Sequence, residues 1–299
     1  MTLSRRMREA LTDLWLAGPG AAAMILLIFL PVAIVAVLSL TDYQFGAPSA
    51  RWVGLENYAR LFTDPTGRRA LTNTLIYVAV VIPVAMALGL VVAIGLHGMA
   101  GRTPRLSAIL RAAYFLPVAA TLVAMAIAWQ MLLHPSIGLV TELIKGAGLP
   151  APAFLSDRGL VIYTLAAIGV WQNVGYNMVL FLAGLAAIPP HLYDAASVDG
   201  ADSPWTRFTT VTWPMLGPTT LFVAVITATN AFRVFETVAT ITKGGPGFAS
   251  DTLVYALYRE GFVYFKAGYA SALTMVFLGL LLIVTLVKVR LIERRVHYR

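Results

Sequence analysis

Four polar side chains share one face of an otherwise apolar stretch in the second half of the chain. They are Gln172, Asn173, Tyr176 and Asn177. The spacing i, i+1, i+4 and i+5 places them together if the stretch is an α-helix. Amides and a phenol donate and accept hydrogen bonds, so this face suits a ligand rich in hydroxyl groups, such as a sugar. Hydrogen bonds between neighbouring helices would use the same groups, and the spacing favours neither role.

A later apolar stretch contains Asn230 and Arg233, with Glu236 following. Charged side chains are rare within apolar helices and are usually paired. At 1.5 Å per residue from Leu216, Arg233 should lie roughly 25 Å along a hydrocarbon core about 30 Å thick. Near that surface we expect Arg233 to reach the headgroups or to pair with Glu236 at i+3. Contact with an anionic solute is the alternative.

Between these stretches lies a segment typical of two short helices, here called the elbow (residues 188–215). Pro189 and Pro190 favour the start of a helix, and Gly200 supplies the left-handed conformation that ends one. The small side chains of Ala195 and Ala196 leave room for the close approach of a partner.

The second half of the elbow has its own start and stop signals. Ser203 is a candidate helix cap, with Pro204 in the first turn, and Pro214 is expected to stop the helix. Asp194, near the start of the first helix, is a candidate charged anchor for a partner. The elbow is therefore predicted to be an ordered docking surface.

Composition assigns the elements around these residues to a membrane. Hydrophobic residues make up 59% of the 299 residues and charged residues 12%, and the mean hydropathy is +0.79. These values are far from those of a soluble globular domain. Six stretches reach the length of about 20 residues that a spanning helix needs. They are predicted near residues 17–40, 71–96, 109–133, 160–187, 216–241 and 267–289.

Basic residues predict the orientation of these spans. Arg5, Arg6 and Arg8 precede the first span, and Lys288 and Arg290 begin a basic end. Because cytosolic flanks are enriched in Lys and Arg, both termini are expected in the cytosol. The predicted organisation is a tail (1–16), a six-span domain (17–289) containing the elbow, and a basic tail (290–299). The net charge of +8 reflects topology and lipid contact rather than nucleic-acid binding.

Smaller features concern packing and the connections on the outer side. Ala85, Gly89 and Ala93 have the four-residue spacing that lets helix backbones approach closely. Bends are predicted in the first, second and third spans at Pro31, Pro83 and Pro117. The outer connections carry many aromatic residues, which are typical of interfacial belts. Short surface helices that receive a soluble partner are the alternative for these connections.

Catalytic and metal-binding motifs are missing from the sequence. It contains no P-loop, no His-Glu-x-x-His, no Gly-x-Ser-x-Gly and no cysteine, and its four His residues are scattered. We therefore expect neither an enzyme nor a metal site. A secondary transporter driven by an ion gradient is the alternative class, and it is disfavoured because Glu236 is the one acidic residue predicted within a span.

Several motifs occur in an order that resembles one family of membrane proteins. In the elbow they are Asp194-Ala195-Ala196, Asp199-Gly200-Ala201, Phe208, Val211 and Trp213-Pro214. Phe115-Leu116-Pro117 precedes them, and Lys243-Gly244-Gly245-Pro246-Gly247 follows. The set resembles the permease subunits of ABC transporters, specifically the binding-protein-dependent sugar importers with their EAA loop. The end of the chain is similar to the glycerol-3-phosphate permease branch.

The resemblance implies a fold, partners and a mechanism. The fold is an all-α membrane protein of six transmembrane helices, a type I ABC importer bundle in the bacterial cytoplasmic membrane, with the elbow as its cytosolic coupling loop. The partners are a second permease subunit, two copies of an ABC ATPase that hold ATP and Mg²⁺, and an extracytoplasmic substrate-binding protein. No cofactor is implied for this chain, and the elbow would transmit the ATPase motion.

Two residues depart from the family pattern. Asp194 stands where Glu is usual, which shortens the anchor by one methylene group, and Trp213 stands where Leu is usual. Both replacements keep the chemical type, so docking is expected to survive. The solute implied is a sugar or sugar-like molecule, with glycerol-3-phosphate as a specific candidate.

Overall fold

The structure is a computed structural model that describes residue 15 and residues 17–295, with backbone alone from residue 287 onward. Within that part the chain is helical and contains no β-strand. Four helices are long and apolar enough to cross a membrane, or up to six if each of two bent pairs forms one span. The higher number matches the six predicted spans. Arg5, Arg6, Arg8 and the last four residues lie outside the described part.

The helices are numbered here in chain order. They are α1 Ala17–Leu38, α2 Glu56–Thr63, α3 Pro65–Ala100, α4 Pro104–Ala119, α5 Leu122–Leu132, α6 Leu139–Gly146, α7 Val161–Ala186, α8 His191–Val198, α9 Pro204–Met215, α10 Gly217–Phe232, α11 Leu253–Tyr258 and α12 Ala267–Arg295. Short π-helical turns interrupt α1 at Ile25–Phe29 and α9 at Phe208–Thr212, and others form Val238–Thr242 and Arg259–Val263.

The third predicted span is not one straight helix. Helices α4 and α5 meet at an angle of 102°. Pro117 lacks the N–H that the last turn of α4 would use, and Ala120 and Thr121 have extended backbones with ψ of 151° and 137°. The bend predicted near Pro117 is thus confirmed, but it is sharper than a kink. Pro31 and Pro83 lie inside helices α1 and α3, which continue past them.

The fifth predicted span ends earlier than expected. Helix α10 stops at Phe232, not near residue 241, and Arg233 is its C-terminal cap. The freed carbonyl of Val234 accepts a hydrogen bond from the Thr252 hydroxyl at 3.3 Å. At the other end, α10 is bent by 68° from α9. The last helix behaves differently, because α12 continues to Arg295, past the predicted boundary at residue 289.

Two compact units are distinguished by the packing of the chain. The first contains residues 1–64 and 257–277, and the second contains residues 65–256 and 278–299. The second unit holds both the face of Gln172 and the elbow.

Helices α3 and α7 pack closely in the second unit. Ala85 and Ala93 are completely buried, and a side-chain carbon on Gly89 would lie 2.7 Å from the Cβ atom of Asn177. The close approach predicted from the small residues of α3 is confirmed. Gly175 of α7 plays the same part toward α4, since a Cβ atom there would overlap the carbonyl oxygen of Tyr114.

The start of α3 also fixes the glycine-rich segment 243–251. Asn73 donates a hydrogen bond to the carbonyl of Asp251 at 2.9 Å, and Arg69 donates to the carbonyl of Gly247 at 2.9 Å. The hydroxyl of Thr74 accepts from the backbone N–H of Leu253 at 2.8 Å. The segment after the fifth predicted span is therefore an ordered part of the second unit.

In the first unit, polar side chains organise the chain that follows α1. Asn57 of α2 donates hydrogen bonds to the carbonyls of Ser39 and Thr41 at 2.9 and 2.8 Å. In the exposed loop beyond, the backbone N–H and guanidinium of Arg51 bind the Asp42 carboxylate and hold its pKa below the usual range. The part of α1 that is apolar enough to span a membrane is not buried by the rest of the described chain.

Candidate functional site

A cavity of about 540 Å³ lies within the second unit. Helices α3, α4, α5, α7 and α10 and the segment after α10 all contribute to its wall. The lining residues are Tyr77, Val118, Leu122, Gln172, Asn173, Tyr176, Ile226, Asn230, Arg233, Val234, Phe235, Glu236 and Thr237. Five of the six predicted pathway residues are thereby brought together from two helices.

Most polar side chains of this cavity have no hydrogen-bond partner within the described part of the chain. Asn173 donates a hydrogen bond to the carbonyl of Gly169 at 2.8 Å. The side chains of Gln172, Tyr176, Asn230, Arg233 and Glu236 have no hydrogen-bond or ion-pair partner among the described residues. They can therefore bind water or a polar solute with both donors and acceptors.

Asn177, the sixth predicted pathway residue, does not line the cavity. It is completely buried, and its Oδ1 accepts a hydrogen bond from the Thr227 hydroxyl of α10 at 2.8 Å. Although it follows Tyr176 directly, its side chain points 100° further round α7, toward the neighbouring helix. For this residue the alternative of a hydrogen bond between helices is confirmed.

The expected pairing of Arg233 with Glu236 is not found. Within the described part of the chain no ion pair joins them, although both side chains line the cavity. An i, i+3 contact requires a continuous helix, and α10 ends at Phe232. Arg233 is exposed, so its guanidinium stays hydrated.

Sequence reasoning missed part of the cavity wall. Tyr77 of α3, and Val234, Phe235, Glu236 and Thr237 after α10, were not predicted to line it. The sequence signal for Tyr77 is faint, because a single phenol in an apolar helix resembles a core residue. The sequence signal for Glu236 is that it is an acidic residue within a predicted span. The helix ends just before it, at Phe232, and its side chain lines the cavity.

The elbow forms largely as predicted. Helix α8 begins directly after Pro190, and Gly200 has the expected positive φ of 85°. The backbone N–H of Thr206 donates to the Ser203 hydroxyl at 3.0 Å, which confirms the predicted cap of α9.

Pro214 does not stop the second helix of the elbow. Helix α9 passes through it to Met215, and the chain bends at Leu216. A π-helical turn at Phe208–Thr212 directly precedes the proline. This wider turn changes the hydrogen-bond register, so the missing N–H of Pro214 falls at the first turn of the segment that follows.

A groove of about 410 Å³ runs between α8 and α9. It is lined by Leu192, Ala195, Ala196, Asp199, Gly200, Ala201, Thr206, Thr210, Val211, Pro214 and Met215. Six of the eight predicted coupling residues are in this set. The other two lie elsewhere: Asp194 is exposed without a partner among the described residues, and Phe208 stacks on Trp205 with ring centroids 5.6 Å apart.

Hydrogen bonds that were not predicted fix the angle between the two helices of the elbow. The Arg207 guanidinium donates to the carbonyl of Ala201 and to the Ser197 hydroxyl, each at 3.0 Å. The hydroxyls of Tyr193 and Thr212 share a hydrogen bond of 3.0 Å. These contacts make the elbow one rigid element.

The elbow and the bundle share one hydrophobic cluster. Val211 and Leu216 belong to the same buried cluster as Met178 and Phe181 of α7. Leu192, Tyr193 and Ala196 of α8 pack against this cluster. A force on the elbow therefore acts directly on α7, the helix that carries Gln172 and Tyr176 into the cavity.

No metal site is found in the part of the chain that the structure describes, since no three His, Cys, Asp or Glu side chains are grouped there. The polar groups of the cavity are amides, phenols, one carboxylate and one guanidinium. This set suits hydrogen bonding to a solute.

Comparison with known proteins identifies the relatives of this chain. The family model described as "Binding-protein-dependent transport system inner membrane component" matches residues 69–298. The chain is 32% identical over 272 residues to a probable ABC transporter permease protein, YurN, of Bacillus subtilis, covering 90% of this chain and 92% of that one. It is 31% identical to the sn-glycerol-3-phosphate transport system permease protein UgpA of Agrobacterium fabrum, covering 87% of each chain.

The fold is also that of solved importers. One chain of a bacterial alginate ABC transporter, crystallised with a periplasmic protein bound to an alginate pentasaccharide, superposes with a TM-score of 0.83 at 20% identity. That match covers 98% of both chains. A chain of the MetNI methionine ABC transporter gives a TM-score of 0.56 at 17% identity and covers 77% of this chain. From the family model and the two curated relatives, the chain belongs to the inner membrane components of binding-protein-dependent transport systems, the permease subunits of ABC transporters.

Proposed function

We propose that this chain forms half of the solute pathway of an ATP-driven importer for a sugar or sugar-like solute. The cavity lined by Gln172 and Arg233 is the part of the pathway that this chain supplies, and the elbow is its docking surface for an ATPase. The single observation that carries the proposal is that α7 contributes polar side chains without hydrogen-bond partners to the cavity and also packs against the elbow.

The cavity chemistry supports a solute with many hydroxyl groups. A hydroxyl both donates and accepts, so it can bind the amides of Gln172 and Asn230 and the phenol of Tyr176 in either direction. Arg233 donates only and ionised Glu236 accepts only, and hydrogen bonds to charged groups are the stronger ones. One relative carries sn-glycerol-3-phosphate in its name, which makes an anionic polyol a candidate in which Arg233 would bind the phosphate.

The elbow suits docking on a separate ATPase chain. Asp194 is an exposed, unpaired carboxylate in the first turn of α8, and the small side chains of Ala195 and Ala196 border an open groove. A helix or loop of a partner can enter such a groove closely. The structure of the elbow as one rigid element means that the partner's movement would reach α7 rather than dissipate in a loop.

The remaining partners complete the proposed assembly. A second permease subunit supplies the other half of the pathway, two ATPase copies hold ATP and Mg²⁺, and a binding protein delivers the solute from outside. In this arrangement the chain lies in the bacterial cytoplasmic membrane, with both termini and the elbow in the cytosol. The basic flanks at residues 5–8 and 288–295 of the sequence support this orientation.

Affinity purification of a tagged chain from its native membrane tests the proposal. We expect recovery of a second permease chain and two copies of an ATPase. Asp194→Lys should remove the ATPase while the second permease remains, because the substitution reverses the charge of the exposed anchor. Glu56→Lys, at another exposed acid far from the elbow in sequence, is the matched control and should retain both the ATPase and the second permease.

Uptake of labelled solutes by cells that carry the variants tests the cavity. Arg233→Gln should reduce uptake of a phosphorylated polyol more than that of a neutral sugar if the charge is used for recognition. Movement of solute by the purified chain alone in a proton or sodium gradient, without any ATPase, would contradict the proposal and favour the secondary transporter.

A further inference from the structure

Helix α6 lies outside both the cavity and the elbow, and a hydrogen bond joins it to the connection that follows α5. The Lys145 ammonium donates to the carbonyl of Pro135 at 3.2 Å and to the carboxylate of Glu142 at 2.9 Å. Thr141 is only 2% exposed, so one side of α6 faces the protein. The connection from Leu132 to Leu139 is short, and α6 therefore lies where a candidate membrane span ends.

The exposed surface of α6 is divided into an apolar and a charged side. Leu139 is 59% exposed and Leu143 is 66% exposed, and Glu142 and Lys145 are also exposed. At 3.6 residues per turn the two leucines lie about 40° apart around the helix axis. Glu142 and Lys145 lie about 60° and 120° from Leu139, on the side away from Leu143. Protein contact, charge and apolar surface thus occupy three separate sectors.

The apolar side continues along neighbouring parts of the chain. On α5, a stripe of half-exposed side chains has the helical spacing i, i+4 and i+8: Val123, Ile127 and Met131. Ile137 before α6 and Leu149 after it are also mainly exposed, at 69% and 61%. Exposed apolar side chains are therefore found on both sides of the connection between α5 and α6.

A separate apolar cavity of about 280 Å³ opens between α5 and α7. It is lined by Trp129, Leu133, Phe154, Leu160, Tyr163, Thr164, Ala167 and Ile168. The hydroxyl of Thr164 is already bonded to the carbonyl of Leu160, and the exposed residues Tyr163 and Ala167 mark the open side. Such a lining has few polar groups that could bind a sugar or an ion, and it suits a hydrocarbon chain.

We propose that α6 lies in the membrane–water interface with Leu139 and Leu143 among the lipids, and that the cavity between α5 and α7 holds an acyl chain. A helix at this boundary needs an apolar side toward the acyl chains and a charged side toward water, which is the division found here. The exposed apolar side chains of α5, which belongs to a candidate membrane span, lead up to α6 and favour lipid over a soluble partner at the leucines. The occupant is therefore a phospholipid.

Single cysteines test the orientation of α6 directly, because the chain contains no cysteine of its own. Leu143→Cys and Glu142→Cys are each labelled with a nitroxide in the native assembly, reconstituted in phosphatidylcholine nanodiscs that leave both membrane faces accessible. The unsubstituted chain in the same assembly gives the background. Power saturation then compares collisions with oxygen, which concentrates in lipid, and with a water-soluble nickel chelate.

The expected result is a reversal between neighbouring positions. The label at residue 143 should collide several-fold more with oxygen than with nickel, and the label at residue 142 should show the opposite preference. Equal access to nickel at both positions would overturn the proposal by placing α6 in water. Protection of residue 143 from both reagents would also overturn it and would identify a protein as the occupant.

A second measurement tests the cavity without reference to α6. Native mass spectrometry of the assembly counts the phospholipids that remain bound in detergent. Ala167→Phe should lower that count because the ring fills the cavity, and Ala128→Phe, on exposed surface outside the lining, is the matched control. Equal retention of lipid by both variants would overturn the assignment of the cavity.

Discussion

The wall of the large cavity comes from several distant parts of the chain, whereas the elbow is one continuous segment of residues 188–215. In the cavity, Gln172 and Arg233 meet because α7 and α10 pack together, with Asn177 and Thr227 bonded between them. In the elbow, Ser203 caps its own helix and Arg207 bonds to the turn just before it.

The two regions therefore depend on different interactions. The side chains of Gln172, Tyr176, Asn230, Arg233 and Glu236 have no hydrogen-bond partner among the described residues, and the buried scaffold behind them does the positioning. The elbow holds its shape through local hydrogen bonds and leaves Asp194 and Ala195 accessible to a partner. A variant can consequently damage one region without touching the other, and the size of the effect shows which interaction was removed.

The largest effect should come from breaking the scaffold of the cavity. Gly89→Val places carbon atoms where the Cβ atom of Asn177 and the backbone of α7 already lie. Overpacking of this kind destabilises by about 1–3 kcal/mol, and we expect the upper end because backbone atoms cannot move aside. Thermal unfolding in detergent measures it. Gly95→Val in the same helix, where no atom lies within 4 Å, is the control and should leave the midpoint almost unchanged.

A smaller effect is expected at the hydrogen bond between α7 and α10. Asn177→Leu leaves the buried hydroxyl of Thr227 without its acceptor, which costs about 1–3 kcal/mol. Adding Thr227→Val removes the stranded hydroxyl, so the double variant should be more stable than Asn177→Leu alone. Unfolding midpoints of the four proteins in this cycle measure the coupling, and strict additivity would show that the bond contributes nothing.

At the elbow, loss of the cap should cost less. Ser203→Ala removes the acceptor of the Thr206 N–H and should destabilise α9 by about 1 kcal/mol. Because the elbow is locally held, we expect faster hydrogen exchange in residues 204–212 and an unchanged rate in α7. Exchange that rises equally in both would mean that the elbow and the bundle unfold as one unit.

The smallest change in stability should accompany the clearest change in function. Glu236→Gln alters an uncommitted acid of the cavity wall and should shift stability by no more than about 0.5 kcal/mol. Uptake of the solute should fall severalfold, while the ATPase still co-purifies. Loss of the ATPase in this variant would show that the cavity and the elbow are not separable.

The same contrast explains what could be predicted from the sequence. The elbow was predicted almost residue by residue, because Gly200 and Ser203 act on the chain immediately around them. The spans were predicted by composition, and α7 matches its predicted boundaries to within one residue. Pro214 was misjudged, because a π-helical turn before it absorbs the missing N–H.

The cavity was predicted less completely because its geometry depends on where helices end and how they pack. A hydropathy profile could not place the end of α10 at Phe232, and a pairing of Arg233 with Glu236 at i+3 requires the helix to continue. It also could not show that Asn177 turns toward Thr227 and away from its polar neighbours. Five of the six residues were nonetheless found, because periodicity on α7 and rare polar residues on α10 survive without tertiary information.

The hydrophobic cluster that joins the elbow to α7 gives the molecule a mechanical advantage. Ile188, in that cluster, lies at the end of α7, and at 1.5 Å per residue Tyr176 is about 18 Å further along the same rod. A tilt of about 10° at the elbow end would carry Tyr176 through about 3 Å, which is about the length of a hydrogen bond. A small rotation at one end of a stiff lever is thus enough to release a bound hydroxyl at the other.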